Sequence, residues 1–177
     1  FGSEDLLLAI AASGRTPYAL GGLSHADAVG AKSVALVCNG SSPMAAAADL
    51  AIEVIVGPEV LTGSTRLKAG TAQKMVLNMI STCTMAQLGK VYGNLMVDVR
   101  PSNEKLQARA LRIVHQITEL DHHRVRTLLD DADWDVKTAV VMGLMDLDAD
   151  SARRQLARAN GRIHAAVTGH TLTESRK

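Results

Sequence analysis

Two stretches of this 177-residue chain gather side chains able to hold an anion. "ASGRTP" places Ser13, Gly14, Arg15 and Thr16 just past an apolar run and just before Pro17. At a helix start the backbone N–H groups point outward unpaired, and the positive end of the dipole favours negative charge. Two hydroxyls and a glycine there can cradle a phosphate without a lysine. The same residues also suit an ordinary N-cap followed by proline in the first turn, so both readings stay open. The second stretch, "GPEVLTGSTRLKAGTAQKM", runs from Gly57 to Met75. Thr62, Gly63, Ser64 and Thr65 supply donors around an expected helix start, and Arg66 and Lys68 supply charge. Cations are unfavourable in a first helical turn. With no acid inside that turn, a bound anion or an acidic neighbour must offset the conflict; a helix capped by Ser64 with solvated cations is the plainer alternative. Glu59 is the only nearby carboxylate for acid or base work, and a structural or substrate-orienting role suits it better. "CNGSSP", with Asn39, Ser41 and Ser42, is a further strand-end loop that could line the same crevice, although it reads first as a turn.

The elements that must position these loops alternate. "DLLLAIAA" (Asp5 to Ala12) is a short apolar run of buried-strand type, and "YALGGLSHADAVG" a weak helix stopped by Gly30. "KSVALVCN" (Lys32 to Asn39) is a second strand, "GSSPMAAAADLA" a turn and short helix, and "AIEVIV" (Ala51 to Val56) a third strand. Strand, helix, strand, helix, strand implies a parallel sheet with crossover helices, and ligands bind at the carboxyl ends of such strands. Three strands make a poor parallel sheet, so further strands are expected upstream. From Ser64 to about Val91 the spacing is helical, with Leu67, Thr71, Lys74, Met75, Asn78, Met79 and Thr82 recurring at three and four. "YGNLMVDVRPSN" is a break, and the domain boundary is placed after Pro101. The expected division is 1–101 for the α/β part, 102–167 for a helical part and 168–177 for a frayed tail. Four helices are expected in the helical part. The first has Ser102 as N-cap and Leu106, Ala110, Ile113 and Ile117 on one face. "HHRVRTLLDDAD" is the second. "WDVKTAVVMGLMDL" follows, with Val136, Ala139, Val140 and Leu144 inward. "SARRQLARANGRIHAAV" is the last.

Composition narrows the function classes. Hydrophobic residues make up 47% but aromatics only 2%, so the core must be aliphatic. A net charge of +1 from 19 basic and 18 acidic residues argues against nucleic acid or an anionic membrane as the main partner, but not against one small anion. No run approaches the ~18 apolar residues of a membrane span. No signal peptide is visible, and the two cysteines, Cys38 and Cys83, fit reduced thiols in a reducing compartment. "DDADWDV" fails as a calcium loop because Val136 and Met142 stand where glycine and glutamate are needed. His122 and His123 are adjacent and lack a suitably spaced partner, so no metal site is expected.

The stretch "GPEVLTGSTRLKAGTAQKMVLNMISTCTMAQLGKVYGNLMVDVRPSNEKL" resembles the signature region of the N-acetylmuramic acid 6-phosphate etherases, enzymes of the sugar isomerase (SIS) fold. "AIAASGRTPYALGGL" and "VALVCNGSSPMA" resemble their family counterparts in the same order, and the likeness covers nearly the whole chain. It implies a flavodoxin-like three-layer α/β domain, a small helical domain like a ubiquitin-associated (UBA) domain, and a cytoplasmic homodimer that serves cell-wall recycling. It implies a phosphosugar substrate, N-acetylmuramic acid 6-phosphate, held by Ser13, Gly14, Arg15, Thr16, Asn39, Glu59, Thr62, Ser64, Thr65 and Lys68, with no metal or organic cofactor. The implied reaction cleaves the D-lactyl ether by elimination and rehydration. The family's acid and base are glutamates upstream of this region, so the stretch alone is expected to be inactive. "CNGSSP" departs from the family by replacing a Pro-Gly order with Gly-Ser, which weakens the case for ligand contact at Ser41 and Ser42. A phosphosugar-binding regulator like the glucokinase regulatory proteins, which share a version of the signature, is the alternative.

Overall fold

A computed structural model describes residues 1–169. The tail expected from residue 168 therefore lies, from 170 on, outside the described residues. The chain divides into two compact units, Phe1–Ser81 and Thr82 onward.

In the first unit β1 (Leu6–Ala11), β2 (Lys32–Val37) and β3 (Leu50–Glu53) form a parallel sheet in that order. The helices α1 (Pro17–Ala28) and α2 (Pro43–Ala47) make the crossovers. The register sets Leu8 against Val34 and Val34 against Leu50. Ala9, Leu23, Ala35, Val37 and Met44 form its buried core. Alanines on the strands let the helices approach closely, and Leu23 and Met44 fill the gap between layers. Each such fully buried side chain contributes about 1.5–3 kcal/mol.

The third strand is shorter than the expected Ala51–Val56. Val54 still donates to the Val37 carbonyl at 2.8 Å, but β2 ends at Val37, so Ile55 and Val56 have no ladder partner. An exposed pair anchors the opposite end of the sheet. The Asp49 carboxylate accepts from Lys32 Nζ at 2.7 Å and from the Ser33 amide at 2.9 Å.

The long helix α3 spans Lys68–Gln87 and begins four residues later than Ser64, its expected start. Gly63 adopts φ +81°, and tight turns tie Ser64 N to the Leu61 carbonyl and Leu67 N to the Ser64 carbonyl. Ser64 therefore sits in a turn and does not cap the helix. Ala69 is the only residue buried along α3.

The second unit takes in the end of α3 and a two-residue hairpin, β4 (Val91–Tyr92) and β5 (Leu95–Met96), in the stretch expected as a plain break. Five helices follow: α4 (Glu104–Thr118), α5 (His122–Asp131), α6 (Val136–Met145), α7 (Ala149–Arg158) and α8 (Ile163–Thr168). The expected boundary after Pro101 falls inside this unit, because Val97 and Val99 pack into the same core as Val114, Leu128, Leu129, Val140 and Ile163. Of the residues expected inward, Ala110, Ile113, Val136, Ala139 and Val140 are buried. Leu106, Ile117 and Leu144 pack half-buried against that core.

Short side chains cap these helices. Asn103, rather than Ser102, caps α4 through its Oδ1 and the Leu106 amide at 3.0 Å. Asp121, Asp135 and Asp148 cap α5, α6 and α7 in the same way. A carboxylate suits that position both as acceptor and as counter-charge to the dipole. The last expected helix is two helices, broken where Asn160 and Gly161 both take positive φ. Two cations close the C-terminal end of α3: Lys137 Nζ donates to the Gly89 and Gly161 carbonyls at 3.2 and 2.8 Å, and Arg162 Nη2 donates to the Gln87 carbonyl at 2.7 Å. Cations at a helix C-terminus are favoured by the dipole.

Candidate active site

All three strand-end loops lie at the carboxyl end of the sheet. The first two are zipped together. The Ala12 carbonyl accepts from the Cys38 amide at 2.9 Å and from Asn39 Nδ2 at 3.0 Å, and the Gly14 carbonyl accepts from the Met44 amide at 3.1 Å. Gly14 stands at φ +66°, where a Cβ would come within 2.2 Å of Ser42 Oγ. This glycine is thus required twice, by its left-handed backbone and by the approach of Ser42. Ser42 in turn caps α2 through the Ala45 amide at 3.2 Å. Ser41, at φ 52°, donates its amide to Glu53 Oε1 at 2.9 Å. Asn39, expected to touch substrate, uses its side-chain amide to brace the first loop.

Within "ASGRTP" the two hydroxyls differ. Ser13 Oγ accepts from the Arg15 amide at 3.3 Å and so shapes the turn. Thr16 stands at the N-cap position of α1, yet its side chain makes no capping hydrogen bond. The Thr16 hydroxyl is therefore free to meet a ligand at an uncapped helix start with Pro17 in the first turn.

The signature stretch resolves the charge conflict at the start of α3 in favour of an acidic neighbour. Glu59 Oε2 accepts from the Lys68 amide at 2.9 Å and Oε1 accepts from the Ala69 amide at 3.0 Å. Those amides lower the Glu59 carboxyl below its usual range, and the Lys68 charge adds to the effect. Lys68 Nζ bends back to the Pro58 carbonyl at 2.9 Å. Cys38, the buried one of the two free cysteines, lies beside this start with Sγ 3.9 Å from the Ala69 carbonyl. Burial and, next, the Glu59 charge push its thiol up. Cys83 is exposed on α3.

Glu59 therefore carries a proton poorly at neutral pH and has both oxygens engaged, which suits neither a general acid nor a general base. Among the described residues, the hydroxyls of Thr62, Ser64 and Thr65 make no hydrogen bond, whereas that of Thr71 is engaged by the Leu67 carbonyl at 2.7 Å. Of the ten nominated residues, Lys68 alone lines the open groove of about 640 Å³ formed with Val56, Leu67, Thr71, Ala72 and Met75. Two parts of the site escaped sequence reasoning. The Glu59 cap reaches across nine residues with no periodic signature, and the Ser42–Gly14 contact joins two separate loops.

Residues 1–82 match the SIS domain family. The chain is 53% identical over 170 residues to the N-acetylmuramic acid 6-phosphate etherase of Vibrio campbellii, covering 96% of this chain and 55% of that protein. It is 53% identical over 165 residues to the etherase of Streptomyces coelicolor, covering 93% and 53%. With that of Bacillus pumilus it shares 51% over 168 residues, covering 95% and 55%. The fold is α/β, and its parallel-sheet part is the part that matches the SIS domain family. In particular, the chain is similar over most of its own length to the N-acetylmuramic acid 6-phosphate etherases, as the signature led us to expect. It spans a little over half the length of these relatives.

Proposed function

We propose that this chain contributes the phosphosugar-holding loops of an etherase acting on N-acetylmuramic acid 6-phosphate. A base takes the C2 proton of the open-chain aldehyde, and lactate departs from C3 with a proton from an acid. Water then adds across the C2–C3 double bond, giving N-acetylglucosamine 6-phosphate and D-lactate. The acid and base are proposed to be carboxylates outside this stretch, since the one carboxylate in the signature is engaged by two amides. No cofactor enters the scheme.

The observation that carries the reading is the division of labour among hydroxyls. Those of Thr16, Thr62, Ser64 and Thr65 are unbonded among the described residues, at the carboxyl ends of parallel strands, where open α/β sheets take ligands. Ser13, Gly14, Arg15 and Asn39 shape the wall that presents Thr16.

We further propose a cytoplasmic homodimer in cell-wall recycling, with a UBA-like helical part. The run Met75–Leu88 carries no charge, and Met75, Met79 and Met85 are 54%, 57% and 45% exposed. Such a face supports coverage by a neutral surface, as a second α3 would offer. No helix among the described residues is long and apolar enough to cross a membrane.

The test is D-lactate release when the complete gene product meets N-acetylmuramic acid 6-phosphate. Lactate release with equimolar N-acetylglucosamine 6-phosphate is the expected result. Phosphosugar binding without release would mark a regulator, and neither would end the reading.

A further inference from the structure

We propose that Glu59 and Lys68 form a reciprocal latch that sets the shape of the signature loop, making both positioning residues for the substrate. This rests on the phosphosugar reading above.

Each partner reaches across the loop to the other's backbone. The Glu59 carboxylate takes the amides of Lys68 and Ala69, and the Lys68 ammonium takes the carbonyl of Pro58, the residue beside Glu59. The ammonium also lies over Gly57, where a Cβ would stand 3.8 Å from Nζ. Three bonds thus join residues 58–59 to residues 68–69. Between these ends lie Thr62, Ser64 and Thr65 with unengaged hydroxyls, on a segment whose own bonds are short-range turns. The Gly70 amide of α3 also donates to the Thr65 carbonyl at 2.8 Å and ties the near end of the loop to the helix, but among the described residues no backbone–backbone bond places Pro58 and Glu59 against α3. The latch supplies that placement.

The arrangement also decides how a phosphate can be held. The amides at the start of α3 would ordinarily draw an anion, but an internal carboxylate already occupies two of them. An incoming phosphate would therefore turn to the loop's own donors, the hydroxyls of Thr62, Ser64 and Thr65 and the exposed Arg66, and Lys68 serves it by keeping those hydroxyls in place.

The test measures KM and kcat for D-lactate release by the complete gene product carrying Glu59→Gln, Lys68→Met, both together, or Lys68→Arg. The latch predicts that KM rises about tenfold in each of the first two, because displaced donors lose orientation. The double variant should be no worse than the weaker single, since either change opens the same latch. The limbs of the pH–rate profile should not move, and Lys68→Arg should recover most of the lost affinity by donating to the Pro58 carbonyl. A fall of about 10²–10⁴ in kcat for Glu59→Gln, with one pH limb lost, would make Glu59 an acid or base and overturn the proposal. Multiplicative losses in the double variant, or a KM effect from Lys68→Met alone, would make Lys68 a direct phosphate ligand and overturn it too.

A substrate-free arm separates the latch from the phosphosugar reading. Amide exchange resolved at Lys68 and Ala69 should quicken about tenfold in Glu59→Gln, since one amide loses its acceptor. If wild type neither binds nor cleaves the phosphosugar, the functional reading fails and exchange alone judges the latch. Unchanged exchange at both amides would refute it.

Discussion

Replacing Gly14 by alanine tests whether the two strand-end loops are built as one wall. An L-residue at φ +66° costs roughly 1–2 kcal/mol. The new methyl would also stand 2.2 Å from Ser42 Oγ and 2.4 Å from its Cβ, so Ser42 must move. Forcing a group into a filled space costs about 1–3 kcal/mol, and disturbing the Ser42 cap of α2 adds about 0.5–1 kcal/mol. The sum is about 2.5–6 kcal/mol, a large share of the ~5–15 kcal/mol that holds a domain together. A double-mutant cycle with Ser42→Gly isolates the contact. Glycine removes the obstructing atoms and costs only a few tenths of a kcal/mol as an N-cap. In that background Gly14→Ala should fall to the backbone cost of about 1–2 kcal/mol plus a small adjustment of Val37 Cγ1, which the new Cβ would meet at 3.2 Å. The assay is urea unfolding followed by far-ultraviolet circular dichroism. Fluorescence of Trp134, the only tryptophan, reports the helical unit separately. That second signal should keep its midpoint while the first shifts. Equal costs of Gly14→Ala in both backgrounds, or a cost under about 1 kcal/mol in wild type, would refute the reasoning that close approach at Ser42 joins the loops.

Other expectations follow from the same contacts. Asp49 is lowered to about 2, chiefly by its hydrogen bond to Lys32 and then by those to Ser33. A depressed carboxyl stabilises the fold above its unfolded value of 3.8, and this is lost as pH falls through about 2. Acid unfolding of wild type should therefore show a loss in that window which Asp49→Asn lacks. Asn103→Ala should lower the stability of the helical unit by about 1 kcal/mol through loss of the α4 cap, read from Trp134 fluorescence in urea. Ser102→Ala should leave it unchanged. Thr16→Val should weaken phosphosugar binding by about 1–3 kcal/mol in calorimetry on the complete gene product, and an unchanged affinity would remove Thr16 from the site. Lys137→Met should destabilise the helical unit by about 1–3 kcal/mol, because it strands the Gly89 and Gly161 carbonyls.

The sequence by itself determined the order and type of the elements in the first unit, whereas the β4–β5 hairpin and the break between α7 and α8 were not legible. Apolar runs bounded by "SGRTP" and "NGSSP" specify β1 and β2, since strand burial and turn chemistry are local properties. The inward faces of α4 and α6 were legible for the same reason: helical period alone places Ala110, Ile113, Val136, Ala139 and Val140 on the core side. The family likeness was legible in the uninterrupted signature from Gly57 onward. Only the tertiary structure decided what each polar group does there. Asn39 looks from its neighbours like a ligand for a sugar and Glu59 like a structural or substrate-orienting carboxylate, but only folding shows the backbone groups each one meets: the Ala12 carbonyl for one, the Lys68 and Ala69 amides for the other. Ser64 looks like a cap until Gly63 turns the chain and the helix starts at Lys68. The physical reason is that a hydrogen bond depends on which donors and acceptors are left over after the backbone has closed its ladders. That remainder is a property of the packed chain, and no short window of residues contains it.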